Sequence, residues 1–224
     1  MATPMGDNFA LTRLMSWLSP AFPTGSFAYS AGLETAIAQG AVTNAGDTRD
    51  WIAANLAHGN ARTDSILIAH AHRCHNDVIG LSGLAELAFA LSTAAERSDE
   101  MTAMGQAFKR AASAWPQSET VPLPDPSPYP VTVGAISGAH GLPCLDVLTA
   151  CLLANAQAQV SVAVRLVPIG QREGVKILAG LEKAIADAAG HAVQASLSDL
   201  GTIGYAADIA AMAHETLQTR LFRS

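Results

Sequence analysis

Leu18-Ser-Pro-Ala-Phe-Pro-Thr-Gly-Ser-Phe-Ala-Tyr-Ser30 separates two stretches of helical periodicity, and the fold can be read outward from it. Upstream, Leu11, Leu14, Met15 and Leu18 recur at the spacing that lines one face of a helix. Downstream, Phe27 to Gln39 carries Phe27, Leu33 and Ile37 and stops at Gly40, a common helix end. Between the two, Pro20 and Pro23 each lack an N–H and steer the preceding residue away from helical geometry. Gly25 frees the turn, and the Ser26 hydroxyl is placed to cap the next helix. The spacing predicts a stiff loop carrying Pro20, Phe22, Pro23, Gly25, Ser26 and Tyr29. Its aromatic rings either pack into a core or are presented outward.

The rest of the chain repeats the helical pattern. Alanine is abundant, β-branched runs are short and strand signals are nearly absent. Residues 1–8 read as disordered. Asp47-Thr-Arg-Asp50 opens a helix with Trp51, Ile52 and Leu56, acidic side chains being favourable at a helix start. Gly59 breaks it. Helices follow over 62–75 and 81–95, then a polar bend at Glu96–Glu100, then a stripe of Met101, Met104, Ala107, Phe108 and Ala111. Residues 116–130 form a Pro-rich loop, long for a connection within a domain. Gly134 and Gly138, four apart, would let two helices approach closely. The segment from Pro143 to Val167 is apolar on nearly all sides and is expected to be the central helix, ended by Pro168 and Gly170. Helices over 171–189 and 208–217 complete an all-α bundle of roughly ten helices in one domain, 1–224, with a mobile tail at 218–224.

Half of the residues are hydrophobic and 14% are charged, against ~25% in an ordinary soluble protein. That surplus of apolar surface points to a homodimer or an obligate complex. The net charge of −6 and scattered basic residues give no nucleic-acid footprint. Val147–Val164 is interrupted by Asn155, Gln157 and Gln159, which reads as a buried helix rather than a membrane span. No basic-then-apolar start with a cleavage site is visible. Cys144 and Cys151 lie ~10 Å apart along one helix, beyond disulfide reach. With Cys74 they fit a reducing, cytoplasmic setting.

Enzyme motifs are missing. There is no phosphate loop, Gly-x-Gly-x-x-Gly or Gly-x-Ser-x-Gly. His214-Glu215 opens like a zinc-protease helix, but position 218 is Gln. No catalytic residue, cofactor site or metal site is assigned. His70-Ala-His-Arg-Cys-His75 offers the one metal alternative: His70 pairs with Cys74 across a turn and His72 lies near His75, but the pairs face different directions. A small helical metalloenzyme using that cluster, or a helical interaction protein, are the competing classes.

Ser19 to Glu34 resembles the N-terminal signature of the UreF family of urease accessory proteins. Val164-Arg-Leu-Val-Pro-Ile-Gly-Gln171 and the ending His214-Glu-Thr-Leu-Gln-Thr-Arg-Leu-Phe-Arg-Ser224 resemble the same family, in the same order. Ala31, where the family usually has His or Gln, and Gly204-Tyr-Ala-Ala207, where a proline is common, depart from its pattern. The resemblance implies an all-α accessory factor, not an enzyme. Such a factor dimerises, joins UreD (also called UreH) and the GTPase UreG to apo-urease, and regulates GTP-dependent nickel insertion. It also implies that Glu34, Arg165 and Gln171 face UreG, and that Arg220, Leu221, Phe222 and Arg223 become ordered against UreD.

Overall fold

The structure, a computed structural model, describes residues 5–224. Those residues form ten α-helices: α1 (Met5–Trp17), α2 (Leu33–Ala38), α3 (Ala45–His58), α4 (Asn60–Arg73), α5 (Val78–Ala90), α6 (Ala95–Ala112), α7 (Tyr129–Ala139), α8 (Cys144–Leu166), α9 (Gln171–Gln194) and α10 (Tyr205–His214). Short 3-10 turns lie at Ser26–Ala28, Pro116–Thr120 and Leu197–Asp199, and no strand occurs among the described residues. The all-α expectation holds. Disorder was expected through residue 8. Residues 1–4 fall outside the described residues, and α1 already begins at Met5.

The innermost helix is α7, not α8. Every residue from Pro130 to Gly138 is buried, because α4 approaches α7 almost backbone to backbone. A Cβ on Gly134 would lie 2.4 Å from the Ile68 carbonyl oxygen, and one on Gly138 2.3 Å from that of His72. The two glycines four apart therefore do set a close helix approach, and α6 packs on the other side of α7. The longer α8 is buried along Val147, Leu148, Leu152, Ala156, Val160 and Ala163 but leaves Leu145 and Leu153 exposed. By length and composition it could cross a bilayer, yet half of its most apolar window is buried inside the fold. Its remaining polar positions keep it from being enclosed on all sides.

Local chemistry explains the boundaries. Asn44 caps α3, its side-chain oxygen accepting the Asp47 N–H at 3.0 Å. The Asp77 carboxylate does the same for Ile79 at α5. The polar bend expected at Glu96–Glu100 is instead continuous helix from Ala95. The Pro-rich stretch is packed: Val121 and Ser127 are buried, and the Ser127 hydroxyl lies 2.8 Å from that of Thr132. Gly105 of α6 admits this stretch, since a Cβ there would lie 2.1 Å from the Ser127 carbonyl oxygen.

Most of the interior is one cluster centred on α4, α7, α8 and α9. A second, smaller cluster unites Leu33 and Ala36 of α2, Val162 and Ala163 of α8, Val167, Ala210 of α10 and Phe222. It positions the site described next.

Candidate functional site

The helix expected to begin at Phe27 begins only at Leu33. Ser26–Ala28 is a 3-10 turn whose N-cap is Gly25 (φ 76°), without a side-chain cap bond, so Ser26 does not cap. The chain then runs extended through Tyr29 and enters α2 by two successive left-handed residues, Ala31 (φ 50°) and Gly32 (φ 81°). Gly32 is required twice over: its φ favours glycine, and a Cβ there would lie 2.8 Å from the Ala211 N of α10. This double turn rotates α2 so that Leu33 to Ala36 face inward. In the preceding loop, Phe22 packs on Phe108 with ring centroids 5.4 Å apart and Tyr29 is buried, while Pro20, Pro23 and Gly25 stay exposed.

Glu34 therefore points into the protein and is 5% exposed. Its carboxylate accepts the Leu221 N–H at 2.7 Å and the Phe222 N–H at 3.1 Å. It also accepts His214 Nε2 at 3.0 Å. His214, 0% exposed, uses its other ring nitrogen on Glu96, Nδ1 to Oε2 at 2.7 Å. Arg220 closes the chain by bonding the second oxygen of Glu96. The result is a relay from α2 through α10 and α6 to the end of the chain: Glu34, His214, Glu96, Arg220. With a carboxyl group at each ring nitrogen, the buried ring has a partner on both sides.

Two expectations are corrected here. Glu34 is not a surface anchor, because its oxygens are already occupied by the chain's own donors. Residues 218–224 are not loose. Phe222 is buried at 6% exposure in the second core cluster. The Ser30 N–H donates to the Ser224 main-chain oxygen at 2.6 Å, with the Ser30 hydroxyl donating to the same atom. The Arg223 N–H donates to the Ala28 carbonyl at 2.8 Å. Gln159 of α8 holds the Ser30 carbonyl from the other side at 2.9 Å. The first signature and the ending are thus one structure, side by side.

The neighbouring ion group secures the same end. Arg97 of α6 bonds Asp64 of α4 and Glu100, with the Glu100 contact at 3.0 Å. The Ser224 hydroxyl lies 3.3 Å from the other Glu100 oxygen. Burial works against the Arg97 charge, but Asp64 and then Glu100 outweigh it and hold its pKa above the usual value. Burial also pushes the Glu100 carboxyl up, and Arg97 pulls it back in part.

Arg165 and Gln171 are exposed and line a groove of about 290 Å³ between α8 and α9 with Val160, Val164, Gly174 and Val175. The Arg165 guanidinium also lies 5.7 Å from the centroid of the Phe222 ring. The two surfaces separated by sequence reasoning therefore touch at this cation–ring contact. Beyond it, Arg223 is exposed and Leu221 is 71% exposed. Separately, α10 carries an outward stripe of Tyr205, Ile209 and Met212, at i, i+4 and i+7.

The metal alternative fails on geometry. His70 Nε2 lies 3.0 Å from the Ala195 carbonyl, His72 Nε2 2.7 Å from that of Leu142, and His75 Nδ1 3.1 Å from that of His72. Carbonyls on different elements draw these rings apart, and no group of three metal-ligating side chains occurs among the described residues. The thiols are equally unpromising: burial pushes all three up, Cys151 to about 12.

Glu96 and His214 are the functional candidates that sequence reasoning missed. Each was read only in its local setting, one as a bend and the other as a broken protease motif. The signal that could have found them was their setting: His214 opens the ending that matches the family.

The UreF family model matches residues 42–182. Proteins called urease accessory protein UreF are similar over nearly the whole chain. The one from Rhizobium etli is 47% identical over 96% of this chain and 96% of its own. That from Agrobacterium fabrum is 46% identical over the same shares, and that from Sinorhizobium medicae 45% over 97% and 98%. With the joined signature and ending on an all-α scaffold, these matches place the chain in the UreF family of urease accessory proteins.

Proposed function

We propose that this chain is a urease maturation scaffold without catalytic activity, working in the cytoplasm. It joins UreD/UreH and the GTPase UreG to apo-urease and regulates GTP-dependent nickel insertion. The observation that carries this reading is the packed ending. Phe222 anchors inward while Leu221, Arg220 and Arg223 are held at the surface. Apolar and Arg side chains presented on a rigid support are the composition of a binding surface.

UreD/UreH is assigned to this ending, and UreG to the adjoining Arg165–Gln171 groove. The test is co-purification from cells that carry the other urease accessory proteins. Leu221→Asp combined with Arg223→Ala should leave helicity and melting unchanged, because neither side chain is buried. It should reduce capture of UreD/UreH at least tenfold. Arg165→Ala with Gln171→Ala should instead weaken UreG recruitment. Wild-type capture by both double variants removes these residues from the interface. Homodimer formation is supported by the low charge and by an apolar groove of about 620 Å³ between α1 and α8. Sedimentation at micromolar concentration tests it, and a strictly monomeric chain refutes it.

A further inference from the structure

We infer that His140 is a proton-operated catch for α1: its neutral ring holds Trp17 in place, and protonation of the ring releases the helix. The attachment of α1 is narrow. Among its described side chains Leu14 and Trp17 are buried and Ala10 is partly buried, whereas Phe9, Leu11 and Met15 are exposed. Trp17 sits in a box of rings, all nearly perpendicular to it: Phe108 at 5.8 Å, Trp115 at 5.5 Å and His140 at 5.0 Å between centroids. Removing one wall of that box loosens the packing around Trp17, one of the two buried anchors among the described residues of the helix.

His140 follows α7 and has one hydrogen bond, Nε2 to the Ser118 hydroxyl at 2.9 Å. Its Nδ1 is buried and has no partner. In the neutral ring with its proton on Nε2, the bare atom is a lone pair, which is the cheaper group to leave unpaired. Adding a proton to Nδ1 creates a buried N–H without an acceptor on a ring that is now charged. From the Pro116–Thr120 turn the ring meets the Ser118 hydroxyl, and from α1 it meets Trp17 and the field of Arg13. Among the described residues Arg13 is the one charge that acts on it, and it repels a second cation. The attraction of a cation for the Trp17 ring offsets part of this cost. Burial first, and Arg13 second, still lower the pKa of the ring from its ordinary value.

Lifting α1 removes both Trp17 and Arg13 and admits water to Nδ1. Proton binding and α1 docking therefore oppose each other, and each drives the other by linkage. The helix is also one wall of the groove lined by Leu11, Leu14, Met15 and Leu153, and it leads directly into the loop at Ser19 and Pro20. Release opens the groove and loosens that loop at its stem.

Hydrogen exchange of the full-length chain, corrected for intrinsic rates between pH 8 and 5.5, tests this. Protection in α1 should fall on acidification by up to about tenfold per pH unit, the slope of one proton. Protection in α4 and α7 should hold. His140→Gln keeps a neutral group beside Ser118 and should flatten the α1 profile. Arg13→Gln, which leaves the core intact, should move the α1 midpoint to higher pH. A flat wild-type profile, an unchanged slope in His140→Gln, an unmoved midpoint in Arg13→Gln, or parallel loss in α1, α4 and α7 would each overturn the inference.

Discussion

Replacing Glu34 by Ala removes the acceptor shared by three donors: Leu221 N, Phe222 N and His214 Nε2. Hydrogen bonds to a charged acceptor are worth ~1.5–3 kcal/mol each, and leaving a buried polar group without its partner costs ~1–3 kcal/mol. The chain has a cheaper escape, which is to release its ending. That move solvates the two amides and forfeits the burial of Phe222, ~1.5–3 kcal/mol. The loss of global stability is therefore capped near ~3 kcal/mol, which lowers Tm by ~6–12 °C in a chain of this size. Locally the effect is larger: amides 221 and 222 should lose at least about a hundredfold in hydrogen-exchange protection. Glu34→Gln keeps an acceptor oxygen and should fall in between. The assay is exchange mass spectrometry on the peptide spanning 215–224, with Tm in parallel. Wild-type protection of that peptide in Glu34→Ala would refute the reasoning, and so would an unchanged Tm.

Three further outcomes are expected. Gly134→Ala drives a Cβ to 2.4 Å from the Ile68 carbonyl oxygen and 2.9 Å from the Ala71 Cβ; overpacking of that kind costs ~1–3 kcal/mol, read as a lower urea midpoint at constant slope. Ala31→Gly relieves a left-handed residue at φ 50° and should stabilise by ~0.5–1 kcal/mol in the same assay, a loss of stability refuting it. Burial lowers the pKa of both His70 and His72, so the unfolded chain takes up these protons first. Stability should hold above ~6.5 and decline as pH falls below it, by up to ~1.4 kcal/mol per proton per pH unit. Glu100, raised by burial, acts in the opposite sense. The diagnostic is therefore a shallower acid decline in His72→Gln than in wild type, measured by urea denaturation between pH 7.5 and 5.5.

The helices were legible because apolar periodicity is a local property; it located each α-helix, with ends displaced by several residues at α1, α5 and α9 and with two larger misreadings. Glu96 to Glu100 looks like a solvated bend because its acids are polar. They are polar for partners far away in sequence, His214 and Arg220 for Glu96 and Ser224 for Glu100, which no local window contains. The start of α2 was hidden because alanine rarely adopts the left-handed conformation that Ala31 takes. The same limit governed the site. Arg220 to Arg223 read as anchors by residue type, but nothing local says that Phe222 turns inward and Leu221 outward. Glu34 read as a surface charge for the same reason, since its donors lie 180 or more positions away. Histidines 70, 72 and 75 offered the one metal alternative by residue type, and the carbonyls of Ala195 and Leu142 engage two of them.

The distance between Glu34 and its donors also has a kinetic meaning. Hydrogen bonds that span 187 and 188 positions close loops of nearly the whole chain, so their entropy cost is expected to be met late, after the more local packing of α4, α7 and α8. Until then the ending has no acid to rest on, and Leu221 has no fixed place at the surface. The surface offered by residues 220–223 is therefore a certificate of completed folding. A misassembled bundle or a chain still emerging from the ribosome does not display it, so a partner that reads this surface selects finished molecules.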